Sequence, residues 1–105
     1  MNNKHHYPWW GYVKYIVRKY PIWNKKHPEL SCSEMNKWGA VQGAIFTTER
    51  MADGSSRMKV IRAMHWDGTL TLEGAALSVS CGRATAARWQ REFFEEVARN
   101  MELID

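Results

Sequence analysis

The sequence has no long apolar run, and this absence bears on where the chain resides. Its apolar stretches are only a few residues long, whereas roughly 20 consecutive apolar residues are needed to cross a bilayer. The opening residues, MNNKHHYPWW, also lack the apolar core and small-residue cleavage site of a secretory signal. We therefore expect a cytoplasmic protein with no membrane partner.

Cysteine is scarce, and the residue patterns that support metal binding or catalysis are missing. Cys32 and Cys81 have no CxxC spacing, which predicts free thiols in a reducing compartment and no metal site. His5 and His6 are interpreted as a frayed terminus rather than as ligands. No carboxylate pair, phosphate-binding glycine loop or nucleophile–base pair is visible, so the sequence predicts no enzyme and no cofactor.

Positive charge is short in the last third of the chain. The net charge is +4 overall, yet residues 1–30 carry six Lys/Arg against Glu29 alone, whereas residues 67–105 carry four Arg against seven acids. A nucleic-acid partner would therefore be held with help from the basic first half, because phosphate contacts depend on Lys and Arg.

Helical periodicity is abundant, and no segment shows sustained strand alternation. The sequence predicts an all-α fold with about five helices. They run from Trp9 to Tyr20, Ser33 to about Met51, Ser55 or Ser56 to Trp66, Leu72 to about Val79, and Arg83 to about Met101.

Two of the helix boundaries rest on particular residues. Pro21 is expected to end the first helix, since proline disfavours the helical conformation of the residue before it. Ser33 is expected to cap the second helix.

The chain divides by composition into an extension and a domain. Residues 1–30 form a basic, aromatic-rich N-terminal helix and linker, in which Trp23 is the candidate for an exposed aromatic residue. Trp9 and Trp10 are expected to lie in the core instead, as aromatic residues on a helix stripe usually do. Residues 31–105 form a helical domain with a helix-turn-helix at about 69–100.

The last two predicted helices have the small inward-facing residues that a helix-turn-helix needs. The expected core of this unit is Leu72, Ala75, Ala76, Ala86, Trp89 and Phe93. Thr69 or Thr71 can cap the first of the two helices, and Gly82 can precede the second.

The outer face of the last helix is the predicted DNA-reading surface, because early exposed positions of the second helix reach base edges in helix-turn-helix proteins. The candidates are Arg83, Ala84, Ala87, Arg88 and Arg91. Arginine near a helix N-terminus opposes the helix dipole, which favours a role beyond stability. Arg88 and Arg91 could instead pair with glutamates four residues later, whereas Arg83 has only Ala87 at that spacing.

Phosphate contacts are expected from cations elsewhere in the chain and from one helix-capping hydroxyl. The candidates are Lys14, Arg18, Lys19, Arg57, Lys59, Arg62 and Thr71.

The segment LEGAALSVSCGRATAARWQREF resembles small phage and prophage proteins akin to the RinA and ArpU transcriptional regulators. The likeness rests on Thr71 to Glu73 and on the Arg83, Thr85, Arg88 and Trp89 pattern, and more distantly it is similar to sigma factor region 4. YPWWGYVKYIVRKYP and AVQGAIFTTERMADGSSRMKVIRAMHW are similar to the earlier parts of such proteins. The resemblance implies sequence-specific binding to double-stranded DNA in the cytoplasm of a bacterial host. It also implies transcriptional control, with RNA polymerase and a second copy of the chain as further candidate partners.

A different function is compatible with the same architecture. A helical interaction or DNA-packaging module, of the small-terminase kind, would keep the helix-turn-helix as a structural unit. Such a module would form a stable ring or partner complex and would contact DNA without regard to sequence.

Overall fold

The computed structural model describes residues 7–105, which form five α-helices. The helices are α1 (Trp10–Lys26), α2 (Cys32–Glu49), α3 (Gly54–Ile61), α4 (Leu72–Ser78) and α5 (Arg83–Asn100), and α3 continues into a π-helical turn at Arg62–Trp66. The predicted all-α fold with about five helices is confirmed. His5 and His6 lie outside the described residues. Over the described range, no helix has the length and hydropathy to cross a membrane.

The buried side chains form two clusters, and the helices divide between them. The larger cluster joins α1, α2, α3 and α5 around Val13, Val17, Val41, Phe94 and Val97. The smaller cluster lies under α4 and contains Val60, Ala75, Ala76, Ala86 and Trp89. The N-terminal helix is thus part of the main core, and the α4–α5 unit has a core of its own beside it.

Pro21 does not end α1, contrary to the prediction from sequence. The helix continues through it to Lys26. Proline has no N–H to bond the carbonyl four residues earlier, which leaves the carbonyl of Val17 without its helical partner. The indole Nε1–H of Trp66 donates to that oxygen at 2.8 Å. The helix loses one backbone hydrogen bond at the proline, but the carbonyl oxygen of Val17 still has a partner.

The prediction that Trp23 is an exposed aromatic residue is also wrong. Trp23 lies on the continued helix and is only 3% exposed. Its ring meets Tyr15 edge to face, with 6.3 Å between centroids. The neighbouring Lys25 and Lys26 remain exposed. The polar residues beside Trp23 in the sequence therefore lie on the exposed face of α1. Trp10 is buried in the main core and Trp9 packs partly against it, as expected.

The second helix begins at Cys32, one residue before the predicted start, and its cap lies two residues before the predicted cap. Ser31 rather than Ser33 is the N-cap, and its hydroxyl accepts from the backbone N–H of Glu34 at 3.1 Å. The Glu34 carboxylate accepts from the backbone N–H of Ser31 in return, also at 3.1 Å. This reciprocal capping box satisfies two amides that the helix itself cannot bond.

Gly54 sets the corner between α2 and α3. A Cβ at this position would lie 2.6 Å from the carbonyl oxygens of both Thr48 and Glu49. Those atoms belong to the backbone of the end of α2, so they cannot move aside as a flexible side chain would. Only glycine therefore lets α3 start this close to the preceding helix.

We predict that Gly54→Ala lowers the free energy of unfolding by roughly 2 kcal/mol or more, because it forces a backbone shift at this corner. Gly39→Ala is the matched control, since a Cβ there meets nothing within 4 Å. The control should raise stability by about 0.5–1 kcal/mol through its better helix propensity. Urea denaturation measures both variants, and equal effects would refute the steric account of Gly54.

Candidate nucleic-acid interface and basic pocket

Helices α4 and α5 form the predicted helix-turn-helix, and its turn has a defined geometry. Thr71 caps α4, with its hydroxyl accepting from the N–H of Gly74 at 3.2 Å. At the other end, Ser80 has φ of 58°. Its N–H donates to Leu77 at 3.1 Å, and the N–H of Cys81 donates to Ala76 at 3.0 Å. This is a Schellman motif with serine in the left-handed position that glycine usually occupies.

The predicted core of this unit is buried with one difference. Ala75, Ala76, Ala86 and Trp89 lie in the smaller cluster, and Leu72 packs against it half-buried. Phe93 is buried too, but in the main core. The inward stripe of α5 therefore serves both clusters, with its first turns under α4 and its later turns against α1 and α2.

The candidate base-reading residues share one outer face of α5. Arg83, Ala84 and Arg88 are exposed, and Ala87 and Arg91 are half-buried. No hydroxyl or carboxylate caps the start of the helix, because Gly82 is the N-cap and contributes no side chain.

Each arginine on this face lies near a carboxylate, which the sequence only partly predicted. Arg88 and Arg91 lie 3.7 and 3.8 Å from Glu92 and Glu95, as the four-residue spacing suggested.

Arg83, which was expected to lack a partner, has one on the other helix of the unit. Its Nε donates to Glu73 of α4 at 2.6 Å. The hydrogen bond from Arg83 is the main cause that lowers the pKa of the Glu73 carboxyl. The four-residue spacing applies within one helix, so it could not predict this pair between α4 and α5.

Glu92 receives two arginines that are placed very differently. Arg57 of α3 donates from Nη1 at 2.7 Å with its side chain only 15% exposed, and its guanidinium lies 5.5 Å from the Trp89 ring centroid. Arg88 approaches the other carboxylate oxygen from the exposed side. Arg57, predicted as a phosphate contact, is thus an internal link between α3 and α5.

We predict opposite consequences for the two arginines of Glu92. Arg57→Ala should lower the free energy of unfolding by roughly 2 kcal/mol, because it removes a shielded, charge-assisted hydrogen bond and the packing on Trp89. Arg88→Ala should change it by less than about 0.5 kcal/mol, since exposed ion pairs contribute little. Chemical denaturation of both variants at one pH tests this, and a similar loss in each would contradict it.

The other phosphate candidates are distributed over three elements. Lys14, Arg18 and Lys19 lie on α1, Lys59 on α3 and Arg62 on the π-helical turn. The guanidinium of Arg62 lies 5.9 Å from the centroid of Trp66. Thr71 already uses its hydroxyl as a helix cap. Among residues 7–105, Lys14, Lys19 and Lys59 take part in none of the ion pairs, so their charges are available to an outside partner.

A pocket of about 620 Å³ opens where α1, the π-helical turn, α4 and α5 meet. Its lining combines two cations of α1 with aromatic rings and neutral polar groups. The residues are Tyr7, Trp10, Gly11, Lys14, Arg18, Met64, His65, Leu72, Gln90 and Phe94. The sequence patterns did not reveal this site. Its one available signal was the placement of Lys14 and Arg18 four residues apart, a like-charge spacing that destabilises a helix.

His65 is held neutral at the floor of this pocket. It is 7% exposed and packs 5.1 Å from the Phe94 ring centroid. Its Nδ1 accepts from Arg18 Nε at 3.4 Å, so the remaining proton is on Nε2, which donates to the side-chain oxygen of Gln90 at 2.6 Å. Burial lowers the pKa of His65 to about 4, and the positive charges of Arg18 and Lys14 contribute in the same direction. Burial and the Arg18 charge also lower the pKa of Lys14.

We predict a pH-dependent stability that depends on His65. Its folded pKa of about 4 lies below the unfolded value of 6.5. The contribution of His65 to stability is therefore fully present above about pH 6.5 and is lost as the pH falls towards 4, because the unfolded state takes up the proton first. Between about pH 7 and pH 5 the free energy of unfolding should fall by about 2 kcal/mol from this residue.

The variant His65→Gln lacks the titrating ring and serves as the control for this effect. The difference between the two denaturation curves across this range isolates the contribution of His65. A wild-type pH slope that persists in His65→Gln would assign the effect to other groups.

No protein-family model, curated protein or solved structure matches the chain. The resemblance to RinA- and ArpU-type regulators therefore stays a prediction from the residues quoted for it. Among the described residues, no group of three His, Cys, Asp or Glu side chains could hold a metal ion.

Proposed function

We propose that the protein is a DNA-binding transcriptional regulator of the phage or prophage kind, which reads duplex DNA with α5. The observation that carries this proposal is the outer face of α5, where Arg83, Ala84 and Arg88 are exposed next to a Thr71-capped α4. A helix packed through small residues, with exposed arginines in its first two turns, suits insertion into a major groove. Arginine is also the side chain that most often reads guanine there.

The carboxylates beside these arginines do not prevent such contacts. Glu92 and Glu95 lie 3.7 and 3.8 Å from Arg88 and Arg91, too far for strong hydrogen bonds. The Arg83–Glu73 bond is short, but both side chains are more than 60% exposed. Exposed pairs contribute little to stability, so a phosphate or a base edge can replace the carboxylate at small cost.

Contacts to DNA phosphates would come mainly from outside the helix-turn-helix. The pairs on α5 leave that helix nearly balanced in charge, whereas the ion-pair-free lysines of the described chain include Lys14, Lys19 and Lys59. Neutralising each phosphate adds to the salt dependence of binding. The proposal therefore includes a strong decrease of affinity with salt, and it places the protein with DNA in the cytoplasm of a bacterial host.

Selection from random DNA duplexes at a stated salt concentration tests the proposal. We predict one enriched site, and a loss of affinity of about tenfold or more for Arg88→Ala, as expected for one lost base contact. Arg99→Ala is the matched control, because Arg99 is an exposed arginine in the last turn of the same helix, paired with Glu96. The control should bind like the wild type.

Two outcomes would contradict this function. One is the absence of any enriched sequence, and the other is unchanged binding in both Arg88→Ala and Arg83→Ala. The second candidate function is the packaging or interaction module. The balanced charge of α5 and the 78% exposure of Leu77 on α4 favour it. That alternative predicts a closed ring of many copies in size-exclusion chromatography with light scattering, together with DNA binding that is insensitive to sequence.

A further inference from the structure

The pocket beside α1 concentrates positive charge. Lys14 and Arg18 stand one helical turn apart on its wall, and no acidic residue of the described chain lines it. Two like charges at this spacing cost helix stability by a few tenths of a kcal/mol. Arrangements of this kind are stabilised when an anion lies between the two cations.

The two cations also have no anionic partner elsewhere in residues 7–105. Neither of them takes part in an ion pair. The hydrogen bond of Arg18 goes to His65, which is neutral and already bonded to Gln90 on its other side. Both side chains can therefore turn their donors towards a ligand in the pocket.

The rest of the lining is suited to a flat apolar group. Trp10 packs on the fully buried Phe94, with 4.6 Å between ring centroids, and Tyr7, which is 39% exposed, stacks on Trp10 at 6.2 Å. The accessible ring of the lining is therefore that of Tyr7. Gln90 adds a polar side chain beside them. The volume of about 620 Å³ lies within the range of small-molecule sites, which combine apolar walls with a few placed polar groups.

A local irregularity of the backbone builds this wall. The π-helical turn at Arg62–Trp66 contains His65 and Met64, which line the pocket, and Trp66, which bonds to α1. The turn ends this helical segment, since the backbone leaves the helix at Asp67. It thus sets where two side chains of the wall lie.

We propose that this pocket binds a small organic anion, with its carboxylate or phosphate at Lys14 and Arg18 and a planar ring against Tyr7 beside Trp10. The site does not depend on DNA binding by α5. Since Leu72 of α4 and Gln90 of α5 also line it, the bound anion would join the N-terminal helix to the helix-turn-helix.

Isothermal titration calorimetry of the full chain with three probes tests the proposal. Indole-3-acetate presents a carboxylate on a ring, adenosine 5′-monophosphate a phosphate on a ring, and inorganic phosphate the charge alone. We expect saturable binding of at least one ring-bearing probe, tighter than that of inorganic phosphate. The two ring-bearing probes identify which head group the site prefers.

Variants of α1 locate the binding. Lys14→Met should weaken it about tenfold or more through the loss of one charged contact, and Lys14→Arg should keep it close to the wild type. Lys25→Met makes the same change in net charge at an exposed position of the same helix away from this pocket, and should leave binding unchanged. Thermal denaturation checks that each variant is folded, and ligand-induced shifts of the Trp10 and His65 ring signals in NMR spectra locate the site without mutation.

Three results would overturn the proposal. They are no saturable binding of either ring-bearing probe up to about 5 mM, equal affinity for inorganic phosphate, or equal weakening in Lys14→Met and Lys25→Met. The DNA selection uses Arg88 and needs no small ligand, so failure of one proposal is distinguishable from failure of the other.

Discussion

The hydrogen bond from Trp66 to the carbonyl of Val17 is the contact on which the arrangement of the molecule depends. It satisfies the oxygen that Pro21 leaves open, so α1 continues to Lys26 and buries Trp23. It also fixes the π-helical turn against α1, which sets the position of His65. Because only residues 67–71 separate that turn from α4, the same bond also connects the N-terminal helix to the region where the helix-turn-helix begins.

Helix positions follow from local signals in this chain, whereas the interactions between helices do not. The positions of α4 and α5 were predicted correctly from the Thr71 cap and from the inward-facing residues of α5, since caps and periodicity act within a few residues. The continuation through Pro21 depends on a bond between Val17 and Trp66, which are 49 positions apart, and the partner of Arg83 lies across a turn. The burial of Arg57 depends on the packing of α3 against Trp89. Rules that use only neighbouring residues cannot predict contacts between positions so far apart in the sequence.

The charged side chains of the molecule lie in three different environments. On α5, arginines and glutamates alternate in exposed pairs that stabilise little and exchange partners easily. At the α3–α5 contact, one arginine is shielded and holds two helices together. In the pocket beside α1, two cations share a wall, and the other described residues that line it are neutral. The net charge of +4 therefore does not show which charged side chains can bind an outside partner, because the three environments leave them accessible to different degrees.

The shared carboxylate of Glu92 has a consequence for how this protein can change over generations. Arg57 keeps that carboxylate compensated whether or not Arg88 is present. A substitution at Arg88 therefore leaves the Glu92 carboxylate paired, and the outer face of α5 can change in sequence while the fold keeps its stability.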